Sequence, residues 1–88
     1  MATLRRRLGA VMVREVDNEV LLLDTESDRI HQLNGIASFI WRWCDEARSP
    51  EEIAALVASE FDVDKDVALR DVIETLARLR ALNLLTEA

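Results

Sequence analysis

The sequence predicts an α+β domain, with a small antiparallel sheet at one end followed by three helices. Three observations carry that reading. Residues 11–24 form two aliphatic runs around a short polar turn; the chain passes from an extended segment into an amphipathic helix at the step Leu33 to Asn34; and Ser49, Pro50, Glu51 and Glu52 form a compact helix-start signal. Strands first and helices after them is the order of an α+β fold.

The first run, residues 11–16, and the second, residues 19–24, flank Asp17 and Asn18. Both of these turn residues tolerate the positive φ that a two-residue hairpin turn demands. A second polar cluster, Thr25 to Asp28, separates this hairpin from residues 29–33, which read as a third strand. Asn34 suits a helix N-cap, because its short side-chain oxygen can accept from a free N–H of the first turn.

The first helix is expected from about Gly35 to Asp45. Ile36, Phe39, Ile40, Trp43 and Cys44 make its apolar stripe, Ser38 and Arg42 lie opposite, and Trp41 lies at the edge. Ser49 as N-cap, Pro50 at the first helical position and Glu52 as the reciprocal partner start a second helix that ends near Phe61 and Asp62. Asp64 or Asp66 caps the third and longest helix. Val67, Leu69, Val72, Ile73, Leu76, Leu79 and Leu82 mark its core stripe, and Asn83 stands where a left-handed residue stops a helix. Leu84 and Leu85 are expected as an apolar tail packed back on the core.

The 88 residues suffice for one modest core, which favours a binding module over a complete enzyme. Composition is that of a folded chain, 50% hydrophobic and 32% charged. No apolar run approaches the ~18–20 residues that span a bilayer, so the expected location is the cytoplasm, without a membrane partner. Arg5, Arg6, Arg7 and Arg14 make the first fourteen residues +4, which leaves −10 for the rest of a chain of net charge −6. Such an acidic body does not attract phosphate backbones, and no nucleic-acid partner is expected. Residues 1–8, which hold the Arg cluster and show no periodicity, read as a flexible basic arm; residues 9–88 are the domain.

Chemistry is sparse. Cys44 with His31 is the one conceivable nucleophile and base, and both fit structural roles better, Cys44 in a helical core stripe and His31 in a strand. A lone Cys and a lone His make no metal site, Asp62, Asp64 and Asp66 lack the Gly and distal Glu of a calcium loop, and two glycines build no phosphate loop. Neither metal nor cofactor is expected, and no catalysis.

The edge of the sheet remains. Residues 29–33 contain neither Pro nor Lys, the usual devices that blunt an edge strand, so this edge can accept an extended peptide as an added strand against the third helix. The same open edges allow a homodimer by strand pairing.

Val20 to Asp24, the Leu33 and Asn34 step, Ala37, Ile40 with Trp41, Asp45, Ser49 to Ile53, Leu56, Phe61, Asp71 with Val72, Leu76, Leu79, Leu82 and the closing Leu84 and Leu85 together resemble the pyrroloquinoline quinone biosynthesis protein D (PqqD) family. The likeness spans about residues 10–86. It implies a winged-helix-like fold, a three-stranded sheet with three helices, that serves as a recognition element and chaperone for ribosomally made, post-translationally modified peptides. Its partners would be the leader of a precursor peptide and a modifying enzyme such as a radical S-adenosylmethionine enzyme or a leader peptidase. Carried onto this chain, Arg29, Ile30, His31, Gln32 and Leu33 supply the pairing edge, with Val67, Arg70, Asp71 and Glu74 contributing from the facing helix. The turn at residues 25–28 lacks the Pro-Glu-Gly of members that serve quinone synthesis, so the resemblance implies a class and not a substrate. Two other readings stand beside it: a winged-helix DNA-binding regulator using Arg70, Arg78 and Arg80, and a non-catalytic subunit of a larger enzyme.

Overall fold

Asp17 and Asn18 both adopt positive φ, 52° and 67°, the backbone of a two-residue turn whose twist matches the strands it joins. In the computed structural model, which describes residues 4–7, 9 and 11–87, this turn links strand β2 (Val11–Val16) to β3 (Glu19–Asp24). A four-residue turn then leads to β4 (Arg29–Gln32), and the three strands form an antiparallel sheet in the order β2, β3, β4. The carboxylate of Asp24 holds this second turn by accepting the N–H groups of Glu26 and Ser27 at 3.0 and 3.3 Å. Burial opposes ionisation of Asp24, but these bonds and the nearby charge of Arg7 outweigh it and hold its pKa below the usual value.

Helices α1 (Gly35–Trp43), α2 (Pro50–Phe61) and α3 (Lys65–Ala81) follow. Asn34 caps α1 by accepting from the Ala37 N–H at 2.9 Å. The expected capping box at Ser49 and Glu52 is present in both directions and starts α2. Asp62, at φ 54°, stops α2 in a left-handed conformation. Asp64 starts α3 without a side-chain capping bond. Asn83, at φ 63°, ends it: Leu84 donates to Leu79 O and Asn83 to Arg80 O, both at 2.9 Å, which is the paired bonding of a Schellman stop.

Two elements differ from the sequence expectation. Leu4–Arg6 form a strand, β1, which pairs antiparallel with β5 (Leu85–Glu87), so the tail after α3 is a strand and part of the expected arm is built into the domain. Arg6 N–H donates to Cys44 O and Arg7 N–H to Leu84 O, both at 3.0 Å, and Arg7 pairs with Glu26 at 2.7 Å. Residues 1–3 and 8 of that arm lie outside the described residues.

The core-facing stripe of α1 is also rotated from expectation. Ala37, Ser38, Ile40, Trp41 and Cys44 are buried, with Trp41 fully so, while Ile36, Phe39 and Trp43 are only partly covered. The reason is that α1 has apolar residues almost all round: the Trp41 side meets the core, and the opposite side packs Phe39 edge-on against Trp43 and Phe61 at 6.1 and 5.3 Å. Val20, Leu22, Ile53, Val57, Ala68, Val72, Leu79 and Leu84 complete the core between the inner sheet face and the helices. In α3, Ala68 takes the buried place expected of Val67, which is exposed in the helix's first turn.

Candidate functional site

β4 lies at one edge of the sheet, and its hydrogen-bonding parity decides what that edge offers. The Leu33 N–H donates to Val20 O at 2.9 Å, and the register continues through His31 opposite Leu22 and Arg29 opposite Asp24. Because backbone groups alternate in direction along an antiparallel strand, residues 29, 31 and 33 bond to β3. Ile30 and Gln32 therefore aim their N–H and C=O groups outward. Side chains follow the opposite logic: those of 29, 31 and 33 share the inner face with buried Leu22 and Val20, and those of 30 and 32 stand on the outer face.

The sheet end nearest α1 is locked by Ser38. Its hydroxyl accepts from the Val20 N–H at 2.9 Å and donates to Leu33 O at 3.0 Å, standing in for the second bond of the Val20–Leu33 pair. Ser38, expected on the polar face, is thus fully buried, and it ties α1 to Leu33, the residue that follows β4. Two such satisfied polar groups fix the position of the edge strand relative to the helices.

Beside the edge runs a groove between β4 and α3. Its volume is about 350 Å³, with Ile30, His31, Gln32 and Leu33 along one side and Thr75, Arg78, Leu79 and Leu82 along the other; Asn34 and Ala37 close its end at the start of α1. A second hollow of about 450 Å³, lined among others by Arg29, His31, Leu82 and Asn83, shares His31 and Leu82 with the first and extends it along the strand. Four strand residues span roughly 13 Å, enough for a guest segment of about four residues. Ile30 is 67% exposed, more than any other large apolar side chain among the described residues.

The five strand residues singled out from the sequence line this groove or its extension. The four named on the facing helix do not: Val67, Arg70 and Glu74 are exposed, Asp71 is half-buried, and all four precede the groove-lining residues, which begin at Thr75. The groove wall is built by Thr75, Arg78, Leu79 and Leu82 in the C-terminal half. Those residues continue the same helical face as Asp71 at intervals of three and four, which is the sequence signal that links the two sets.

Cys44 is fully buried, its thiol donates to Ile40 O at 3.3 Å, and burial pushes its pKa up to about 11. A thiol so placed stays protonated and unreactive. No group of three or more His, Cys, Asp or Glu residues is arranged to hold a metal ion among the described residues, and no helix is long and apolar enough to cross a membrane.

The family model of coenzyme PQQ synthesis protein D, PqqD, matches residues 19–85, a span that includes β3, β4, the three helices and the start of β5. The chain belongs to the PqqD family. Two solved structures are similar to this PqqD-family chain over nearly its full length. One is TbiB1 in complex with the TbiA(beta) leader peptide, 31% identical with a TM-score of 0.82, covering 92% of this chain and 93% of that one. The other is lasso peptide synthetase B1 complexed with the leader peptide, 28% identical with a TM-score of 0.84, covering 97% and 99%. The solution structure of the PqqD truncation of Methylobacterium extorquens PqqCD, described as a stand-alone recognition element for ribosomally synthesized and post-translationally modified peptides, shares the fold at 24% identity and a TM-score of 0.77, covering 96% and 88%. No curated protein matches the chain at a significant level.

Proposed function

We propose that this PqqD-family domain is a non-catalytic recognition element that binds the leader of a ribosomally made precursor peptide as an added strand on β4 and presents it to a modifying enzyme. The observation that carries the reading is the open edge of β4 beside the wall of α3: outward backbone groups at Ile30 and Gln32 for main-chain pairing, and a groove for alternate side chains. The leader complexes of two similar chains support it. Strand addition supplies sequence-tolerant affinity, and the groove supplies selection. Once the leader is held, a docked enzyme meets the tethered core of the precursor at a raised effective concentration, and this chain contributes no chemistry of its own.

The domain would act in the cytoplasm, where precursor peptides are made, and pairing of two β4 edges would compete with leader binding. The test is titration of a leader peptide, from a precursor encoded beside this chain, into the native protein and into Ile30→Pro. Saturable binding to the first and strong loss in the second is the expected result. Equal binding to both would overturn strand addition on β4.

A further inference from the structure

We propose that Arg78 selects a carboxylate side chain on the guest peptide, making the preferred leader an acidic and apolar strand; this rests on the strand-addition reading above. Arg78 is the one Lys, Arg, Asp or Glu side chain that lines the groove. It makes no ion pair among the described residues, although Glu74 lies one turn away. Arg7 is engaged by Glu26 at 2.7 Å, Arg42 by Glu15 at 2.8 Å, and Arg48 by Asp45, whereas Arg14 and Arg70, which also make no ion pair among the described residues, do not line the groove.

The acidic groups at the adjoining hollow are also occupied. Asp24 accepts from its own turn, and Glu26 holds Arg7. Arg29, at the far end of the same strand, has no ion pair either. In a chain of net charge −6, the groove therefore presents unpaired positive charge where the acids are already satisfied. A guanidinium with free donors recognises a carboxylate by directed, charge-assisted bonds.

Spacing sets the pattern. Successive inward side chains of a guest strand stand about 6.8 Å apart, close to the rise of roughly 6 Å that separates Arg78 from Leu82 on α3. An acidic residue against Arg78 thus places its neighbour two positions away against Leu82, an apolar surface. Arg78 also lies in the last turn of α3, where a cation complements the helix dipole. That role alone predicts no effect on which peptides bind.

The experiment selects binders from a displayed library of random twelve-residue peptides on the native full chain, then on Arg78→Glu and Arg78→Gln, with thermal melts to check folding. Ile30→Pro identifies the clones that bind through the β4 edge. The expected result is enrichment of Asp or Glu at one position with an apolar residue two away; changing that acid to its amide weakens binding by about 5- to 15-fold. Arg78→Gln removes the preference, and Arg78→Glu turns it toward Lys or Arg. Edge-dependent clones with no acidic preference, or with one that both variants keep, would overturn the role of Arg78 and leave strand addition standing. A library that yields no edge-dependent clone would overturn strand addition itself.

Discussion

Replacing Ile30 by proline tests the proposed guest-binding edge with little disturbance of the fold. The Ile30 N–H points away from β3, so proline at this position removes no bond of the native ladder, and edge strands accept proline on their outward side. The loss falls on the guest. Of the two outward donors, at residues 30 and 32, one disappears. A net backbone bond contributes about 1 kcal/mol, and the guest carbonyl stranded against the proline ring costs about 1–2 kcal/mol more. The total of about 2–3 kcal/mol corresponds to roughly 30- to 150-fold weaker binding. Fluorescence anisotropy of a labelled leader measures this directly, with circular dichroism to show that the helices persist. Ile30→Ala is the control: it keeps the donor and trims a side chain that is 67% exposed, so affinity should change by less than about threefold, under 0.7 kcal/mol. His31→Pro is the contrasting case, since its N–H faces Leu22 and the substitution damages the sheet. Binding to Ile30→Pro within threefold of native would refute the parity assigned to β4 or the use of this edge.

Two further outcomes follow from the same geometry. Ser38→Ala strands the Val20 N–H and Leu33 O in the core, and urea unfolding should show a loss of about 2–4 kcal/mol, against less than 0.5 kcal/mol for an exposed serine substitution. Cys44, with its pKa raised to about 11 by burial, keeps its proton at pH 8. Iodoacetamide labelling should therefore track global unfolding in increasing urea, while alkylation of the native protein at the rate of an ordinary thiol, whose pKa is about 8.5, would contradict the buried placement.

Local chemistry made much of the fold legible. Asp17 and Asn18, Asn34, the Ser49 box and Asn83 each act within a few residues of themselves, and each does in the structure what its side chain or backbone freedom dictates. The β1 and β5 ribbon was invisible for the opposite reason. Three residues near one end and three near the other carry no periodicity, and only the assembled core brings them together. The face of α1 was misjudged because apolar residues surround the helix, so that periodicity finds a stripe but not its centre; packing against both the core and Phe61 decides it.

At the site, residues 29–33 stood out in the sequence because they contain neither Pro nor Lys, and the structure places them at the sheet edge beside the groove. The facing wall did not stand out. Sequence shows that Asp71, Thr75, Arg78 and Leu82 share one helical face, but which half of α3 lies beside β4 depends on how the helix crosses the sheet. Thr75 and Arg78 are polar residues in a long charged helix, and nothing local distinguishes them from residues of a solvated face.

The central claim is that a guest peptide pairs with β4 and not with β2, the other edge of the same sheet. Amide hydrogen exchange read by two-dimensional NMR, with and without a saturating leader peptide, separates the two. By the same parity, the outward amides include those of Ile30 and Gln32 on β4 and of Val13 and Glu15 on β2. Protection gained at Ile30 and Gln32, with Val13 and Glu15 still exchanging freely, is the predicted result. Protection at Val13 and Glu15, or at neither pair, would contradict it.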